Sequence, residues 1–406
     1  MDQNIVIVGA GQGASQVIDT LRRKGHAGAL TLIGDEPDLP YQRPPLSKKF
    51  LAGTLERDRL LIRHRPFYDE HHVTLELGRR AERIERTAQR VVLDDGRSLA
   101  YDVLVLATGS RARQLEAPGS DLPGLHYLKA LRDADALRAE ARPGRRAVIV
   151  GGGYIGLEVA ATFRELGVDV TVLEMADRVM SRVVCAPVSR FYQREHAEHG
   201  VRIVLGAQLN GFAAGSDGRV RAVRGVGGIE YPADFVVIGI GVLAEDRLAA
   251  AAGIDCANGI VVDSHCRSSD PAIYAIGDCS NHPSPHYGGR IRLESVDNAF
   301  EQGTTAALNI LGTPTIHDKV PWFWSDQYHH KLLIVGLAQS HDQIVVRGDP
   351  LSHNFSACYL RQGELIAIDT VNNAKDQMAA RRLIAGRARP DVAKLVDPAV
   401  ALKDCV

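Results

Sequence analysis

Two stretches of the chain share one pattern, and this repeat limits the fold more than any other feature. The stretch "NIVIVGAGQGASQVIDTLRRKG" begins at Asn4, and "RRAVIVGGGYIGLEVAATFRELG" begins at Arg145. Each contains a run of β-branched residues, a cluster of glycines, and apolar residues at helical spacing that end at Gly25 or Gly167. The pattern predicts a strand, a tight turn and a helix, in two copies.

In the first copy, Gly9 and Gly11 occupy the first two positions of the pattern G-x-G-x-x-G. Ala14 takes the third position, with Gly13 just before it. Small residues here permit a sharp turn and let a pyrophosphate approach the amides at the start of the helix. Because a tight turn in any doubly wound sheet also needs small residues, this motif alone leaves a purely structural role open.

The second copy fits the pattern without substitution, through Gly151, Gly153 and Gly156. Two such units in one chain predict two Rossmann-like folds, and two Rossmann-like folds predict two bound dinucleotides.

A carboxylate ends the next predicted strand in both copies. "ALTLIGDE" ends in Asp35 and Glu36, and "VDVTVLE" ends in Glu174. A carboxylate at this place can accept hydrogen bonds from a ribose, and at Glu174 it would repel a 2′-phosphate, so the second site is expected to prefer NADH to NADPH. Arg178 and Arg182 leave open that a 2′-phosphate is received there, although a solvated helix face explains such arginines equally well.

Composition predicts an ordinary soluble globular protein. The chain has 406 residues, 45% hydrophobic content and a formal charge of −1, which gives no electrostatic reason to expect nucleic acid or a membrane surface as partner. No stretch has the ~18 to 20 apolar residues that span a bilayer, and "MDQNIVIVGAG" enters its first strand at once without room for a signal peptide. We therefore expect a cytoplasmic protein.

The six cysteines are spaced too widely for a C-x-x-C pair, so the sequence predicts no zinc site, no metal ligand and no active dithiol. We expect free and chemically inert thiols at Cys185, Cys256, Cys266, Cys279, Cys358 and Cys405.

Two further segments, "YDVLVLATGSRARQLEAPG" and "SSDPAIYAIGDCS", resemble the signature segments of the two-dinucleotide flavoproteins that include glutathione reductase. The resemblance implies FAD in the first Rossmann half and a nicotinamide nucleotide in the second. It also implies that Asp278, after Gly277, presents its carboxylate to the ribityl chain of the flavin. A Gly-Asp pair standing alone would be no more than a turn.

The segment "LPYQRPPLSKKFLAG" distinguishes branches of that superfamily. It has neither the cysteine pair of disulfide reductases nor the single reactive cysteine of NADH peroxidases and oxidases. Arg43 to Lys48 instead resemble the oxygenase-coupled ferredoxin reductases of the putidaredoxin reductase type. "GGGYIGLEVAAT", "RVMSRVVCAPVSRFYQREH", "RIRLESVDNAFEQG" and "PWFWSDQY" resemble the same family.

The resemblance implies two sets of site residues. The set for FAD is Gly9, Gly11, Gly13, Ala14, Asp35, Glu36, Arg43, Lys48, Ala81, Lys129, Asp278, Val296 and Trp324. The set for NADH is Gly151, Gly153, Ile155, Gly156, Glu158, Glu174, Arg182, Gly241 and Glu294. Lys48 is expected to pair with Glu158 and to set the charge near flavin N5; an exposed lysine that caps a helix is the alternative. Trp322 and Trp324 are equally compatible with ordinary core packing.

The predicted fold class is α/β, with two Rossmann-like dinucleotide-binding domains and a C-terminal α+β domain. We place a discontinuous FAD domain at residues 1–113 and 244–317, an NAD domain at 114–243 and a C-terminal domain at 318–406. In the last of these, "KLLIVGLA", "DQIVVRGD" and "FSACYLRQGELIAIDTV" alternate as antiparallel strands, and helices follow near "KDQMAARRLIAG".

The resemblance implies an NADH-dependent ferredoxin reductase that passes single electrons to a [2Fe–2S] ferredoxin. The ferredoxin would serve a haem-thiolate monooxygenase or an aromatic-ring dioxygenase. Thiolate ligands at cluster spacing are absent from the sequence, so the electrons must leave to another protein. Two alternatives stay open: an NADH oxidase or peroxidase, and a redox-responsive interaction protein resembling apoptosis-inducing factor.

Overall fold

A computed structural model describes residues 3–406 of the chain. The chain forms two compact units. The first unit comprises the residues up to Gln42 together with Arg57–Arg111 and Val242–Lys319; the second comprises Arg43–Glu56, Ala112–Gly241 and Val320–Val406.

The strands are β1 (Ile5–Val8), β2 (Leu30–Gly34), β3 (Val73–Leu77), β4 (Ala81–Glu85), β5 (Arg90–Leu93), β6 (Ser98–Ala100), β7 (Val103–Leu106), β8 (Ser110–Ala112), β9 (Leu125–His126), β10 (Arg146–Val150), β11 (Asp169–Glu174), β12 (Arg202–Leu205), β13 (Leu209–Ala214), β14 (Val220–Gly225), β15 (Glu230–Pro232), β16 (Phe235–Ile238), β17 (Val242–Ala244), β18 (Ile260–Val261), β19 (Ile273–Ala275), β20 (Ser280–Pro283), β21 (Arg290–Ile291), β22 (Trp322–Gln327), β23 (His330–Gly336), β24 (Gln343–Asp349), β25 (Asn354–Arg361) and β26 (Glu364–Val371).

The α-helices are α1 (Gln12–Arg23), α2 (Arg65–Glu70), α3 (Leu131–Glu140), α4 (Tyr154–Glu165), α5 (Ala186–Glu198), α6 (Arg247–Ala251), α7 (Val296–Ile310), α8 (Ala374–Ala385) and α9 (Val392–Val396). Within residues 3–406, none of these helices combines the length and the apolar character that crossing a bilayer requires.

The first unit is built on a parallel sheet with the strand order β19-β7-β1-β2-β3. Its central strand β1 is apolar throughout and buried throughout, as expected when helices and loops cover both faces of a parallel sheet. Successive side chains point to opposite faces. Ile5 and Ile7 therefore enter one hydrophobic core, whereas Val6 and Val8 enter the other.

Helices α1 and α7 lie against each other on the face that Ile5 and Ile7 share. Their backbones approach so closely that a Cβ atom added to Gly303 would lie 2.8 Å from the carbonyl oxygen of Gly13. Ala306 and Ala307 continue the small-residue surface of α7 and are fully buried. This close crossing explains why α1 and α7 carry small residues where they meet.

The second unit contains a parallel sheet with the order β12-β11-β10-β16-β9 and an antiparallel sheet with the order β22-β23-β26-β25-β24. The repeat of strand, glycine turn and helix is confirmed as β1–α1 and β10–α4. The predicted antiparallel C-terminal strands are confirmed as β23 to β26, and the helix near "KDQMAARRLIAG" is α8.

The segment 43–56 lies in the second unit, whereas the sequence analysis placed it in an FAD domain running from residue 1 to 113. Side chains of the second unit hold it there. The Thr162 hydroxyl donates to the Ser47 carbonyl oxygen at 2.9 Å, and the Arg138 guanidinium lies 5.0 Å from the centre of the Phe50 ring. The second unit also contains nearly all of 114–243 and 318–406, and the division into three domains stays a prediction.

Candidate active site

The first glycine turn joins β1 to α1 in the first unit. Gly9 has a φ of +106°, and a Cβ atom there would lie 2.2 Å from the carbonyl oxygen of Ala107, so no other residue fits. Gly11 immediately precedes α1, and a Cβ atom there would have open space in front of it. The free amides at the start of α1 therefore face room for a pyrophosphate, as an FAD-binding turn requires.

Gly13 and Ala14 belong to the packed side of the same helix. A Cβ atom on Gly13 would come within 3.0 Å of the Ile276 side chain, and Ala14 is fully buried in the core. Helix packing thus accounts for the small size of both residues. Their predicted contact with FAD stays a prediction.

The carboxylates after β2 have different surroundings. Asp35 is exposed, whereas Glu36 is partly buried and accepts a 2.6 Å hydrogen bond from the Tyr41 hydroxyl. Ala81, another residue predicted to contact FAD, is the first residue of β4 and is partly buried. Tyr41 therefore orients the carboxylate that we expect to bind the adenosine ribose.

Asp278 lies in a short 3₁₀ turn, Gly277–Cys279, directly after β19. Its carboxylate accepts a 2.7 Å hydrogen bond from the Ser110 hydroxyl, which stands in the other signature segment of the sequence. The two segments that carried the resemblance thus meet in the first unit. Sequence reasoning did not single out Ser110, because only the fold brings it to Asp278.

The start of α7 holds two more predicted site residues. Val296 is its first residue, and the preceding Ser295 caps the helix by accepting a hydrogen bond from the Asn298 amide at 3.0 Å. Glu294 is exposed and forms an ion pair with Arg292 at 2.7 Å. Glu294 belongs to the first unit, whereas the other residues predicted to bind NADH belong to the second.

The second glycine turn joins β10 to α4. A Cβ atom on Gly151, which has a φ of +107°, would lie 2.4 Å from the Gly239 carbonyl oxygen. A Cβ atom on Gly156 would lie 2.1 Å from the Gly151 carbonyl oxygen, whereas one on Gly153, which precedes α4, would have open space. Ile155 is 45% exposed on the first turn of α4, so its side chain is available to a ligand. This geometry matches that of the first turn and fits a second pyrophosphate.

Glu174 ends β11, and both of its carboxylate oxygens accept backbone hydrogen bonds. The Gly152 amide donates to Oε2 at 2.7 Å, and the Ala176 amide donates to Oε1 at 2.8 Å. Each oxygen keeps a second lone pair that a ribose hydroxyl can use. Glu174 therefore shapes the glycine turn in addition to its predicted part in ribose binding.

The two arginines after β11 differ in their freedom. The Arg178 guanidinium donates to the carbonyl oxygens of Val184 and Ser181, at 2.8 Å in each case. Arg182 is exposed, and within residues 3–406 it makes no hydrogen bond or ion pair. Its guanidinium lies near Gly241, 3.7 Å from where a Cβ atom of that glycine would be. Arg182 is therefore the arginine that can move toward a nucleotide.

Lys48 and Glu158 meet in the second unit. The Lys48 ammonium donates to Glu158 Oε2 at 2.6 Å, and the two side chains are only 17% and 6% exposed. The Ser47 hydroxyl also donates to Oε2, at 2.5 Å, and the Ser325 hydroxyl donates to Oε1 at 2.7 Å. Lys48 is thus a largely buried member of a charge pair and not an exposed helix cap.

A chain of buried hydrogen bonds continues from Ser325. The Gln327 side-chain amide donates to the Ser325 hydroxyl at 3.2 Å, and the Gln327 oxygen lies 2.9 Å from His196 Nε2. Tyr328 completes the chain at His196 Nδ1, at 3.1 Å. Burial lowers the pKa of His196 to about 4, so it is neutral at pH 7, with Nε2 as donor and Nδ1 as acceptor.

The tryptophans, Arg43 and Lys129 also lie in the second unit. The rings of Trp322 and Trp324 stack at 5.4 Å, and Arg381 lies over the Trp322 ring. Both tryptophans are partly exposed. The Arg43 guanidinium donates to the Lys129 carbonyl oxygen at 2.7 Å and so holds two of the residues predicted to contact FAD close together.

Five of the six cysteines are buried, and Cys256 is partly exposed. Burial raises the pKa of every one of these thiols, and that of Cys256 to about 11. All six are therefore protonated near pH 7 and poor nucleophiles, which supports the expectation that they are inert.

Comparison with known proteins agrees with this geometry. Residues 3–303 match the family model for pyridine nucleotide-disulphide oxidoreductases, and residues 322–406 match the model of a reductase C-terminal domain. The chain belongs to the pyridine nucleotide-disulphide oxidoreductase family. Members of this family use FAD and NAD(P)H. The predicted α/β fold class with a C-terminal α+β domain is thereby confirmed, and that domain matches the reductase C-terminal model.

Several similar proteins within this oxidoreductase family are named as ferredoxin reductases or as reductases of ferredoxin-like partners. The chain is 43% identical to a ferredoxin–NAD(P)⁺ reductase of Sphingomonas over 99% of its length and 97% of the relative. It is 44% identical to rhodocoxin reductase of Rhodococcus erythropolis over 94% of its length and 89% of the relative. The crystal structure of a covalent putidaredoxin reductase–putidaredoxin complex matches with a TM-score of 0.96 and 41% identity, covering 99% of this chain and 98% of that one.

Proposed function

We propose that the chain is an NADH-dependent ferredoxin reductase. In this reaction one NADH reduces two molecules of [2Fe–2S] ferredoxin by one electron each and leaves NAD⁺ and a proton. FAD, when bound, supplies the chemistry that links a two-electron donor to a one-electron acceptor. The ferredoxin would carry its electron to a monooxygenase or an aromatic-ring dioxygenase. A cytoplasmic location, where NADH is supplied, is part of the same proposal.

The buried pair of Lys48 and Glu158 is the observation that carries this proposal. Its lysine stands in the segment where the disulfide reductases and peroxidases of this superfamily are expected to carry reactive cysteines. The Ser47 and Ser325 hydroxyls hold the Glu158 carboxylate. The Lys48 ammonium donates to that carboxylate and lies 3.5 Å from the Ser47 hydroxyl, so the ammonium is fixed in place. A fixed positive charge suits electrostatic control of the flavin near N5, and the absence of a reactive thiol from the sequence of this segment disfavours peroxidase chemistry.

For the first unit we propose that the open turn at Gly11, the carboxylates Asp35 and Glu36, and Asp278 bind FAD. For the second unit we propose that Arg43, Lys48, Lys129 and Trp324 contact FAD. The NADH site is proposed at the turn of Gly151, Gly153 and Gly156, with Ile155, Glu158, Glu174, Arg182 and Gly241 around it. Ala81, Val296 and Glu294 complete the two proposed sets.

The test is to reduce the purified yellow protein with NADH under anaerobic conditions and to compare three acceptors. These are a [2Fe–2S] ferredoxin with cytochrome c, ferricyanide, and oxygen. We expect the flavin colour to bleach, and turnover with ferredoxin to exceed oxygen consumption by at least tenfold. Rapid oxygen consumption would favour the oxidase alternative, and a long-lived reduced complex with little turnover would favour the redox-responsive protein.

A further inference from the structure

Three histidines that the proposed function does not use cluster in the second unit. One ring nitrogen from each of His329, His330 and His353 lies within 4.8 Å of the other two. His329 lies in the turn before β23, His330 is the first residue of β23, and His353 follows a short 3₁₀ turn between β24 and β25. His330 is buried, His353 is partly buried and His329 is exposed, so the cluster opens to solvent on one side.

A buried carboxylate lies against the same cluster. Glu195, on α5, is 1% exposed; its Oε2 is 2.6 Å from His330 Nε2, and its Oε1 is 3.8 Å from His353 Nε2. Oε1 accepts no hydrogen bond within the described residues 3–406, although it forms an ion pair with Arg194 at 3.5 Å. A buried carboxylate oxygen without a hydrogen bond is costly, and a cation among the imidazoles would offset that cost.

We propose that His329, His330, His353 and Glu195 form a binding site for one Zn²⁺ ion. Three imidazole nitrogens and one carboxylate oxygen make up a donor set that zinc accepts readily. Magnesium and calcium prefer sites made of oxygen atoms only, so a cluster dominated by imidazole selects against them. The site is independent of the proposed ferredoxin reductase activity.

Zinc binding requires all four ligands to adjust. Ligands at ~2.0 to 2.1 Å from a tetrahedral zinc ion lie roughly 3.3 Å apart, so the three histidine nitrogens must draw together from their present spacing. The buried His330 Nε2 and Glu195 Oε2, now 2.6 Å apart, must separate slightly. His329 and His353 are free to rotate toward the ion because they reach the surface. His330 is buried, and the Asn372 side-chain amide donates to its Nδ1 at 3.2 Å, so its proton lies on Nε2 and is donated to Glu195 at 2.6 Å. Zinc bound at Nε2 would displace that proton, and Asn372 would then present its side-chain oxygen to an Nδ1 proton.

Four protein ligands on one ion make a closed site, which is typical of structural and not of catalytic zinc. The ion would join α5, the turn before β23 and the connection between β24 and β25. Binding should therefore raise the stability of the second unit and leave the flavin spectrum unchanged. Sequence analysis predicted no metal ligand because it considered cysteine spacing, and these ligands come from three distant parts of the chain.

The experiment uses the full chain with FAD bound, produced without a polyhistidine tag and freed of metal by a chelator. Equilibrium dialysis against Zn²⁺ measures stoichiometry and affinity, and thermal unfolding with and without Zn²⁺ measures stabilisation. We expect one zinc ion per chain and a higher Tm. We expect His329→Gln and His353→Gln each to weaken binding at least tenfold and to remove most of the Tm increase.

His64→Gln is the matched control, because it removes an exposed imidazole from the first unit. It should bind zinc as the unchanged chain does. Replacement of Zn²⁺ by Co²⁺ adds a readout of geometry, since a tetrahedral site gives intense absorption at wavelengths longer than those of oxidised flavin. Failure of the unchanged chain to bind zinc, or equal affinity in the His329 and His353 variants, would overturn the proposal.

Discussion

The Glu174 side chain both accepts hydrogen bonds from the backbone of the glycine turn and is proposed to bind the ribose of NADH. Its two oxygens hold the amides of Gly152 and Ala176, and their remaining lone pairs are proposed to accept the ribose hydroxyls of NADH. A carboxylate that is already fixed by the backbone loses little freedom when a nucleotide binds. The same fixation would prevent it from turning away from a 2′-phosphate, and we propose that discrimination against NADPH arises at this end of β11.

We predict that Glu174→Ala lowers kcat/KM for NADH by about tenfold to a hundredfold, because losing hydrogen bonds to a charged group costs roughly 1 to 3 kcal/mol. It should raise kcat/KM for NADPH, since a 2′-phosphate no longer meets a carboxylate. Steady-state kinetics with ferricyanide measures both values. Adding Arg182→Ala should reverse the NADPH gain. An unchanged preference in Glu174→Ala would show that this residue is not the ribose ligand.

Asp278 and Cys256 offer a contrast between a proposed cofactor ligand and an inert thiol. We predict that Asp278→Ala, which also removes the carboxylate that accepts from the Ser110 hydroxyl, releases FAD during gel filtration, because a proposed flavin ligand is lost. Cys256→Ser should retain FAD and at least half of the activity, since the Cys256 thiol is protonated at neutral pH. Flavin content per chain is measured by absorbance. Loss of activity in Cys256→Ser with FAD retained would restore the peroxidase alternative.

Sequence reasoning named both partners of the Lys48–Glu158 pair, but it did not identify the serines that orient them. Ser47 and Ser325 stand inside segments that carried the family resemblance, yet a serine among similar residues has no pattern of its own. Their role depends on hydrogen bonds between residues 111 and 167 positions apart. Such partners become visible only when the fold brings the segments together.

At the scale of elements, the crossing of α1 and α7 depends on the absence of a side chain at one position. Gly303 lies where the Gly13 carbonyl passes over α7. The glycine clusters predicted the two turns because a turn has a local signature. Gly303 has no such local signature, because a residue without a side chain is required there only by helix α1, which is almost 300 residues away in the sequence.

We predict that Gly303→Ala lowers the free energy of unfolding by about 1 to 3 kcal/mol, because the new methyl group would overlap the α1 backbone. Thermal unfolding measures the loss. Glu301→Ala, on the same helix and partly exposed, is the control and should change stability by less than about 0.5 kcal/mol. Equal stability of the Gly303 variant and the unchanged chain would mean that the two helices separate freely.

At the scale of the whole molecule, each unit buries histidines in their neutral form. In the first unit His282 and His317 pack edge to face at 4.9 Å, and burial lowers their pKa values to about 3 and about 4. In the second unit burial lowers the pKa of His196 to about 4. In an unfolded chain all three would titrate near pH 6.5.

These histidines predict a loss of stability on acidification. Below pH ~6.5 the unfolded chain binds up to three more protons than the folded chain, so the free energy of unfolding falls as the pH drops toward ~4, by up to about 4 kcal/mol per pH unit. Thermal unfolding between pH 7.5 and 5 measures the slope. In His282→Gln the slope of the free energy of unfolding against pH should decrease by the amount that corresponds to about one proton. The same slope in both proteins would contradict the burial of a neutral His282.

The overall architecture was the most predictable part of the molecule. Two strand–turn–helix repeats and alternating C-terminal strands have local signatures, and both were confirmed. The position of residues 43–56 was not predictable, because it depends on Thr162 and Arg138, which lie in the second unit. The histidine cluster was missed for the same reason, since His329, His353 and Glu195 meet only in the folded chain.

The order of strands in the first sheet means that β7 is synthesised well before β19, the strand that pairs with its outer edge. The edge strand β19 pairs with β7, but the chain inserts most of the second unit between them. Ribosomes add ~5 to 20 residues per second, so translation of the roughly 170 residues between β7 and β19 takes about 8 to 35 seconds. During that interval the nascent chain displays an apolar strand with an unpaired edge. Production in a host that translates quickly and supplies ample chaperone should therefore give a higher yield of folded flavoprotein.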